Sequence, residues 1–92
     1  MSGKVMVEIS QLEKAEKKIL ECTERYKKAY EELYSEVDEM GTNWNDERNL
    51  RFTRDIDQFR DKFVKMEKLM SDYGNHCGIS AKKYRQWEQG NT

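Results

Sequence analysis

Few residues in this chain have the types and spacing that catalysis or metal binding requires. The single histidine, His76, is followed by Cys77, but adjacent residues on a helix point in different directions and do not share a metal ion. Asp55, Asp57 and Asp61 fall on what we expect to be an open helix face, without the burial that raises a carboxyl pKa. No glycine-rich phosphate loop or nucleophile elbow occurs. We therefore predict a protein that is not an enzyme, with no catalytic residues, no metal and no cofactor.

Two stripes of apolar residues carry the main structural signal. The first consists of Leu12, Ile19, Tyr26, Leu33 and Met40, and the second of Phe52, Ile56, Phe59, Phe63, Met66, Met70, Tyr73 and Cys77. The first stripe recurs every seven residues and the second follows four-three spacing, as helices that pack lengthwise do. Because a short polar break joins the two stripes, we predict an all-α fold, an antiparallel two-helix hairpin. Such a hairpin has no cleft for a small substrate.

Local signals set the predicted boundaries of the elements. We expect one domain over residues 1–92, with helix 1 at about 10–40, the turn at about 41–45 and helix 2 at about 46–88. Ser10 and Glu13 have the spacing of a capping box that begins helix 1. Gly41 is a natural stop for that helix.

Two further glycines lie inside helix 2. Gly74 and Gly78 each lower helix stability by about 1 kcal/mol relative to alanine, so a stop at Gly74 is one alternative. The apolar spacing nevertheless continues in phase beyond both glycines. We therefore predict one helix that is softened or kinked there.

Composition and charge exclude several classes of partner. Charged residues make up 38% of the chain and hydrophobic residues 36%, without proline, which suits long solvated helices. The formal net charge is -1 with acids and bases interspersed, so we expect no nucleic-acid partner. No apolar run approaches the length of a membrane span, and we expect no membrane insertion. The N-terminal sequence lacks the apolar stretch of a signal peptide, which by ordinary rules predicts a cytoplasmic protein.

Helix 1 has more apolar surface than one partner helix covers. Five residues outside its heptad stripe widen the apolar arc to roughly half of the helix circumference. These residues are Ile9, Leu20, Tyr30, Tyr34 and Val37. We predict that they form a dimer interface and that two hairpins pair into a four-helix bundle. The partner is an identical or a similar chain, and a monomer with exposed tyrosines is the competing interpretation.

The turn contains an unusual residue for its position. Trp44 is a large aromatic side chain where a polar one is expected, and Thr42, Asn43 and Asn45 are each able to cap helix 2. One interpretation makes Trp44 a hydrophobic plug that closes the end of the bundle. The other makes it part of a recognition surface at the tip of the hairpin.

The C-terminal end of helix 2 carries a second candidate surface. A turn centred near Asn43 pairs residues whose numbers sum to about 87, so Trp87 has no residue opposite it on helix 1. We therefore predict that Tyr84, Trp87 and Glu88 project beyond helix 1 as an interaction site. The alternatives are that the N-terminal segment Val5–Val7 covers them or that the tail is frayed.

Together these features resemble the WXG family, the small helical-hairpin proteins exported by type VII (ESX) secretion systems. The resemblance covers nearly the whole chain and rests on its length, the opening Ile9-Ser10-x-x-Glu13, a mid-chain tryptophan in the turn and the motif Tyr84-x-x-x-Glu88. There is one departure, because the family's Trp-x-Gly turn reads Trp44-Asn45-Asp46 here. Aspartate tolerates positive φ less well than glycine does. The chain is thus a divergent member, or a relative with the same fold.

The resemblance implies a function and a location. It implies a small secreted substrate that acts by protein–protein binding, exported without a cleavable signal peptide after a cytoplasmic stage. The implied partners are the chain itself or a homologous WXG-like chain, and the secretion ATPase or core complex that reads the Tyr84/Trp87/Glu88 end. It further implies a role in virulence or in competition between bacteria. An adaptor that escorts a larger type VII toxin is the first alternative, and a cytoplasmic coiled-coil protein is the second.

Overall fold

The computed structural model describes the backbone of residues 3–90 and the side chains of residues 8–90. Its elements are α1 (Gly3–Asn43), α2 (Glu47–Asp57) and α3 (Arg60–Gly90). The described part of the chain is all-α, and the predicted helical hairpin is confirmed.

Helix α1 is longer at both ends than the sequence signals predict. It begins at Gly3, so Ser10 lies inside the helix and the capping-box interpretation is wrong. The Glu13 carboxylate instead accepts a hydrogen bond from the Arg85 guanidinium. The helix also passes through Gly41, which is therefore not its stop, and ends at Asn43. Within residues 3–90 no glycine has positive φ, so Gly41 simply continues the helix.

The predicted second helix is two helices. The interruption lies at Gln58–Phe59, where no glycine or proline occurs, and not at the glycines. Helix α3 runs without interruption through Gly74 and Gly78, so the prediction that the chain stays helical there is confirmed.

The chain divides into two compact units, which we describe separately. The terminal unit combines Met1–Thr23 with Leu69–Thr92, and the turn unit is Glu24–Lys68. The helix boundaries differ from the expected ones as described above, and the single domain stays a prediction.

In the terminal unit the two segments approach each other closely at small residues. Gly74 is buried, and a Cβ atom built on it would lie 2.9 Å from Leu20 Cδ2. A Cβ atom on Gly78 would collide with the Glu16 carboxylate. Ile9 is only 1% exposed, and with Cys77 and Ala81 it forms the buried apolar part of this unit. Glycine and alanine therefore position the two segments by allowing close contact.

In the turn unit the packing is aromatic. The Phe63 ring lies 5.9 Å from the centroids of both Tyr26 and Tyr30, and 6.0 Å from that of Tyr34. The Tyr30 hydroxyl donates a hydrogen bond to the Glu67 carboxylate. This bond, with a smaller contribution from burial, raises the pKa of Tyr30 to about 12. Tyr34 is 4% exposed, and burial raises its pKa as well, although the nearby Arg60 opposes the shift.

Candidate functional site: the tryptophan turn and the C-terminal segment

The turn between α1 and α2 is closed by a helix cap. Asp46 is the N-cap residue of α2, with φ -73 and ψ 161. One oxygen of its carboxylate accepts a hydrogen bond from the Asn49 amide at 2.7 Å, and the other accepts from the Trp44 indole Nε1 at 2.5 Å. A single carboxylate therefore satisfies the first turn of α2 and fixes the indole ring.

Asn49 holds the turn through a further hydrogen bond. It is buried, and its side-chain Nδ2 donates to the Trp44 carbonyl at 2.8 Å. The Trp44 amide in turn donates to the Met40 carbonyl at 2.8 Å, which extends the last turn of α1. Asn49 was not predicted from the sequence. The recognisable signal at this turn is Asp46, because aspartate is a preferred N-cap residue.

The capping assignments made from the sequence are wrong in detail. The Thr42 hydroxyl donates to the Asp38 carbonyl at 3.0 Å, and the Asn43 amide group donates to the Glu39 carbonyl at 3.2 Å. Both side chains therefore bond back to α1 and neither caps α2. Asn45 is exposed and directly precedes Asp46, the residue that caps α2. The Trp44 side chain is 46% exposed, so it is not an enclosed plug, and a partner can reach it.

The C-terminal segment does not project beyond α1, so that prediction is wrong. In the terminal unit Arg85 pairs with Glu13, and the exposed ring of Tyr84 lines an open groove with Glu8 and Leu12 of α1. The cause is the earlier start of α1, which supplies residues opposite the end of α3. Covering by the side chains of Val5–Val7 lies outside the described residues.

Two further residues of the predicted recognition end differ in exposure. Trp87 is exposed. Glu88 is half-buried, and its Oε2 atom is shielded from solvent without a hydrogen-bond partner among the described residues. The segment therefore exposes the rings of Tyr84 and Trp87. Next to them lies the shielded Oε2 atom of Glu88, which accepts no hydrogen bond from the described residues.

The residues predicted for the dimer interface are largely occupied within the chain. Ile9 and Tyr34 are buried, which makes them unavailable to a second chain. Leu20 lies against Gly74, and Tyr30 stacks on Phe63. The remaining candidate, Val37, is half-buried beside an open groove. Four of the five side chains thus take part in intrachain packing, and a dimer interface formed by these residues stays a prediction.

Four exposed apolar residues of the turn unit lie instead on the predicted seam. Leu33 and Met40 of α1, together with Phe52 and Phe59 after the turn, are between 41% and 55% exposed. These four residues, which we call the exposed rows, occupy matching heptad positions of the two stripes. Their neighbours Ile56 and Phe63, on the other heptad position, are half-buried. On the second stripe, only the row of Ile56 and Phe63 is thus used for packing within the unit.

An all-α hairpin with a tryptophan in its turn places the chain in the class of small helical-hairpin proteins. The chain matches the family model described as WXG100, proteins of 100 residues with WXG, over residues 4–89, and it belongs to that family. Members are type VII secretion substrates, generally non-enzymatic secreted helical proteins that associate with their own kind. No curated protein and no solved structure shows significant similarity to the chain. Within residues 3–90, no helix has the length and apolar character required to cross a bilayer.

The turn explains how aspartate replaces the family glycine. Asp46 stands at the glycine position of Trp-x-Gly, and its φ of -73 lies in a region open to every residue type. The backbone of this turn therefore does not require glycine. Aspartate adds two hydrogen bonds that glycine has no side chain to make, one to the Asn49 amide and one to the Trp44 indole.

Proposed function

We propose that this protein is a small type VII secretion substrate that acts by binding other protein chains. The supporting observation is the family match over residues 4–89, together with the half-exposed Trp44 held in the hairpin turn. The exposed rows provide apolar surface for a partner, and the C-terminal segment provides a second, separate surface for recognition by the export machinery.

The export signal is the Tyr84/Trp87/Glu88 end of α3. Aromatic side chains beside a charge are typical anchors of protein recognition, and both rings are exposed. The Glu88 Oε2 atom has no hydrogen-bond partner among the described residues but is shielded from solvent, so a donor from the secretion ATPase or core complex reaches it once the side chain turns outward. The Tyr84 and Trp87 rings are read in the positions they already hold.

An export assay tests this assignment. Tyr84→Ala, Trp87→Ala and Glu88→Ala should each abolish appearance of the protein in the medium of a strain with an active type VII system. Lys83→Ala, a change at an exposed residue of the same segment, should be exported normally. Helicity and melting temperature of all four variants should match the parent, and normal export of the three signal variants would refute the assignment.

The exposed rows are the surface on which two copies of the chain pair. Within the described residues, large apolar side chains are exposed far more often than they are buried, and isolated chains of this size bury little apolar surface. A second hairpin offers a matching heptad row, so pairing covers Leu33, Met40, Phe52 and Phe59 and builds a four-helix bundle. This surface replaces the interface expected from the sequence.

A matched pair of variants in α2 tests the surface. Phe52 belongs to the exposed rows, whereas Leu50, two residues away and also exposed, lines the open groove with Val37 and Gly41. Phe52→Glu should convert the dimer to monomer in sedimentation equilibrium, because pairing would bury an unpaired carboxylate. Leu50→Glu should leave the dimer intact. A monomeric parent, or equal effects of both changes, would contradict the proposed surface.

The same exposed rows support the second candidate, an adaptor for a larger toxin. The observation that favours it is the incomplete apolar core of each unit, which α-helices of another protein complete as well as a second copy does. The two candidates differ in what the chain does alone. An adaptor should be monomeric by itself and should gain thermal stability on co-expression with the N-terminal helices of its toxin.

A further inference from the structure

The interruption between α2 and α3 has no cause in the local sequence. The segment from Asp57 to Arg60 contains neither glycine nor proline, the residues that usually break helices. The ladder of hydrogen bonds is regular up to Gln58, whose amide donates to the Arg54 carbonyl at 3.1 Å. The Phe59 amide then donates to the Ile56 carbonyl at 3.0 Å, three residues back instead of four. The α-helical pattern therefore ends at Phe59.

The Ile56 carbonyl has a second donor, from the facing helix. The Tyr34 hydroxyl of α1 donates to it at 2.7 Å. Tyr34 is buried, and a buried hydroxyl without a hydrogen-bond partner is unfavourable. In an uninterrupted helix the Ile56 carbonyl would accept the Arg60 amide. The tyrosine hydroxyl and the tightened Phe59 bond take its place.

The first residue of α3 is held on the same tyrosine. The Arg60 guanidinium lies 4.2 Å from the centroid of the Tyr34 ring, in a cation–π contact. It also pairs with Asp57 at 2.9 Å, on the other side of the interruption, and with Asp38 of α1 at 3.1 Å. The polar and charged groups on both sides of the break are therefore organised around one aromatic side chain.

We infer that Tyr34 is a positioning residue that divides the second half of the hairpin into two helices. A side chain that enters the helical hydrogen-bond ladder is one of the few causes of a sharp break. The Tyr34 hydroxyl binds the Ile56 carbonyl, and the hydrogen-bond pattern tightens at Phe59 to accommodate it. Gln58 keeps helical dihedral angles, φ -61 and ψ -24. Phe59, one of the exposed rows, lies in the break itself, so its orientation depends on a hydroxyl of the facing helix.

The test compares two tyrosines of α1 that differ in what their hydroxyls bind. Tyr34→Phe removes only the bond to the Ile56 carbonyl, whereas Tyr30→Phe removes a bond to a side chain, that of Glu67. Both rings contact Phe63, so apolar packing is retained in both variants. Backbone chemical shifts and amide hydrogen exchange measured by NMR report the conformation of residues 58–60 directly, independently of secretion or self-association.

In Tyr34→Phe the Arg60 amide should gain the Ile56 carbonyl as its acceptor and should therefore exchange about tenfold more slowly than in the parent. In Tyr30→Phe the Arg60 amide should exchange as in the parent. A folded Tyr34→Phe protein whose Arg60 amide exchanges as fast as in the parent would overturn the inference, and so would slowed exchange of this amide in Tyr30→Phe.

A third variant decides the question if Tyr34→Phe does not fold. Gln58→Ala raises the helix propensity of the break while it leaves the Tyr34 hydroxyl in place. The break should persist, and the Arg60 amide should exchange as fast as in the parent. Closure into one helix by Gln58→Ala alone would show that the local sequence sets the break, and it would contradict the role of Tyr34.

Discussion

The terminal unit and the turn unit pack the same kind of helix pair by opposite means. The terminal unit uses small residues such as Gly74 and Gly78, which let side chains of the facing segment lie directly against the backbone of α3. The turn unit uses aromatic rings with hydroxyl groups, above all Tyr34, which bonds to main chain across the pair. Close contact depends on shape alone, whereas hydroxyl bonds depend on direction. The terminal unit should therefore be sensitive to added volume, and the turn unit to the loss of a side chain.

The largest effect is expected where an aromatic side chain of the turn unit is removed. Tyr34→Ala deletes a buried ring and its hydroxyl bond, which should lower the free energy of unfolding by about 3–5 kcal/mol. Tyr84→Ala, at an exposed tyrosine of the terminal unit, should cost less than about 1 kcal/mol. Urea denaturation followed by circular dichroism measures both, and equal losses would remove the distinction between the two tyrosines.

Added side-chain volume should have the next largest effect on stability, and the sign of this effect should differ between the two units. Gly74→Leu forces side-chain atoms against Leu20 and Ile19 and should destabilise the protein by about 1–3 kcal/mol. At Gly41, in the turn unit, an added Cβ atom meets no atom within 4 Å, so Gly41→Leu begins in open space. It should stabilise the protein by up to about 1 kcal/mol, because leucine favours the helix more than glycine does. Thermal melts of the two variants should shift in opposite directions, and two shifts of the same sign would contradict this account.

A smaller effect is expected at the cap of the turn. Asp46→Ala removes the bonds to the Asn49 amide and to the Trp44 indole, and the loss of such a cap costs about 1 kcal/mol. Asn45→Ala, at the exposed neighbouring position, should have little effect on stability. Trp44 fluorescence, recorded in a Trp87→Phe background, should change with Asp46→Ala only. An unchanged emission spectrum would mean that the carboxylate does not hold the indole.

The smallest expected effect is a loss of stability at alkaline pH. It involves the hydrogen bond from the Tyr30 hydroxyl to the Glu67 carboxylate in the turn unit. The Glu67 carboxylate raises the pKa of Tyr30 from 10.0 to about 12, so the folded state holds this proton more tightly than the unfolded state does. The resulting stability is complete below about pH 10 and is lost as the pH rises towards 12. Tyr30→Phe should show a shallower loss of stability over this range, in melts compared with the parent from pH 8 to pH 12. If stability falls in parallel with pH in the variant and in the parent, the Tyr30 hydroxyl makes no such contribution.

The sequence was sufficient for the fold class and for the place of the tryptophan turn. Heptad spacing is a local property, and a helix with one apolar side needs a partner whatever its neighbours are. The polar break around Trp44 and the continuity of α3 through Gly74 followed from the same spacing. The family resemblance rested on these features, and the family match confirms it.

Several features were decided by tertiary contacts. The break at Gln58–Phe59 depends on a hydroxyl from α1, and the covering of the Tyr84 end depends on where α1 begins. No local signal showed which apolar row faces inward. The sequence therefore placed Phe52 in the packed seam and Tyr34 outside it, whereas Tyr34 is buried and Phe52 is exposed. Periodicity determined that this chain forms helices with apolar sides. Only the packing of one helix against another determined which side chains are covered, because burial and hydrogen bonding depend on atoms that are distant along the chain.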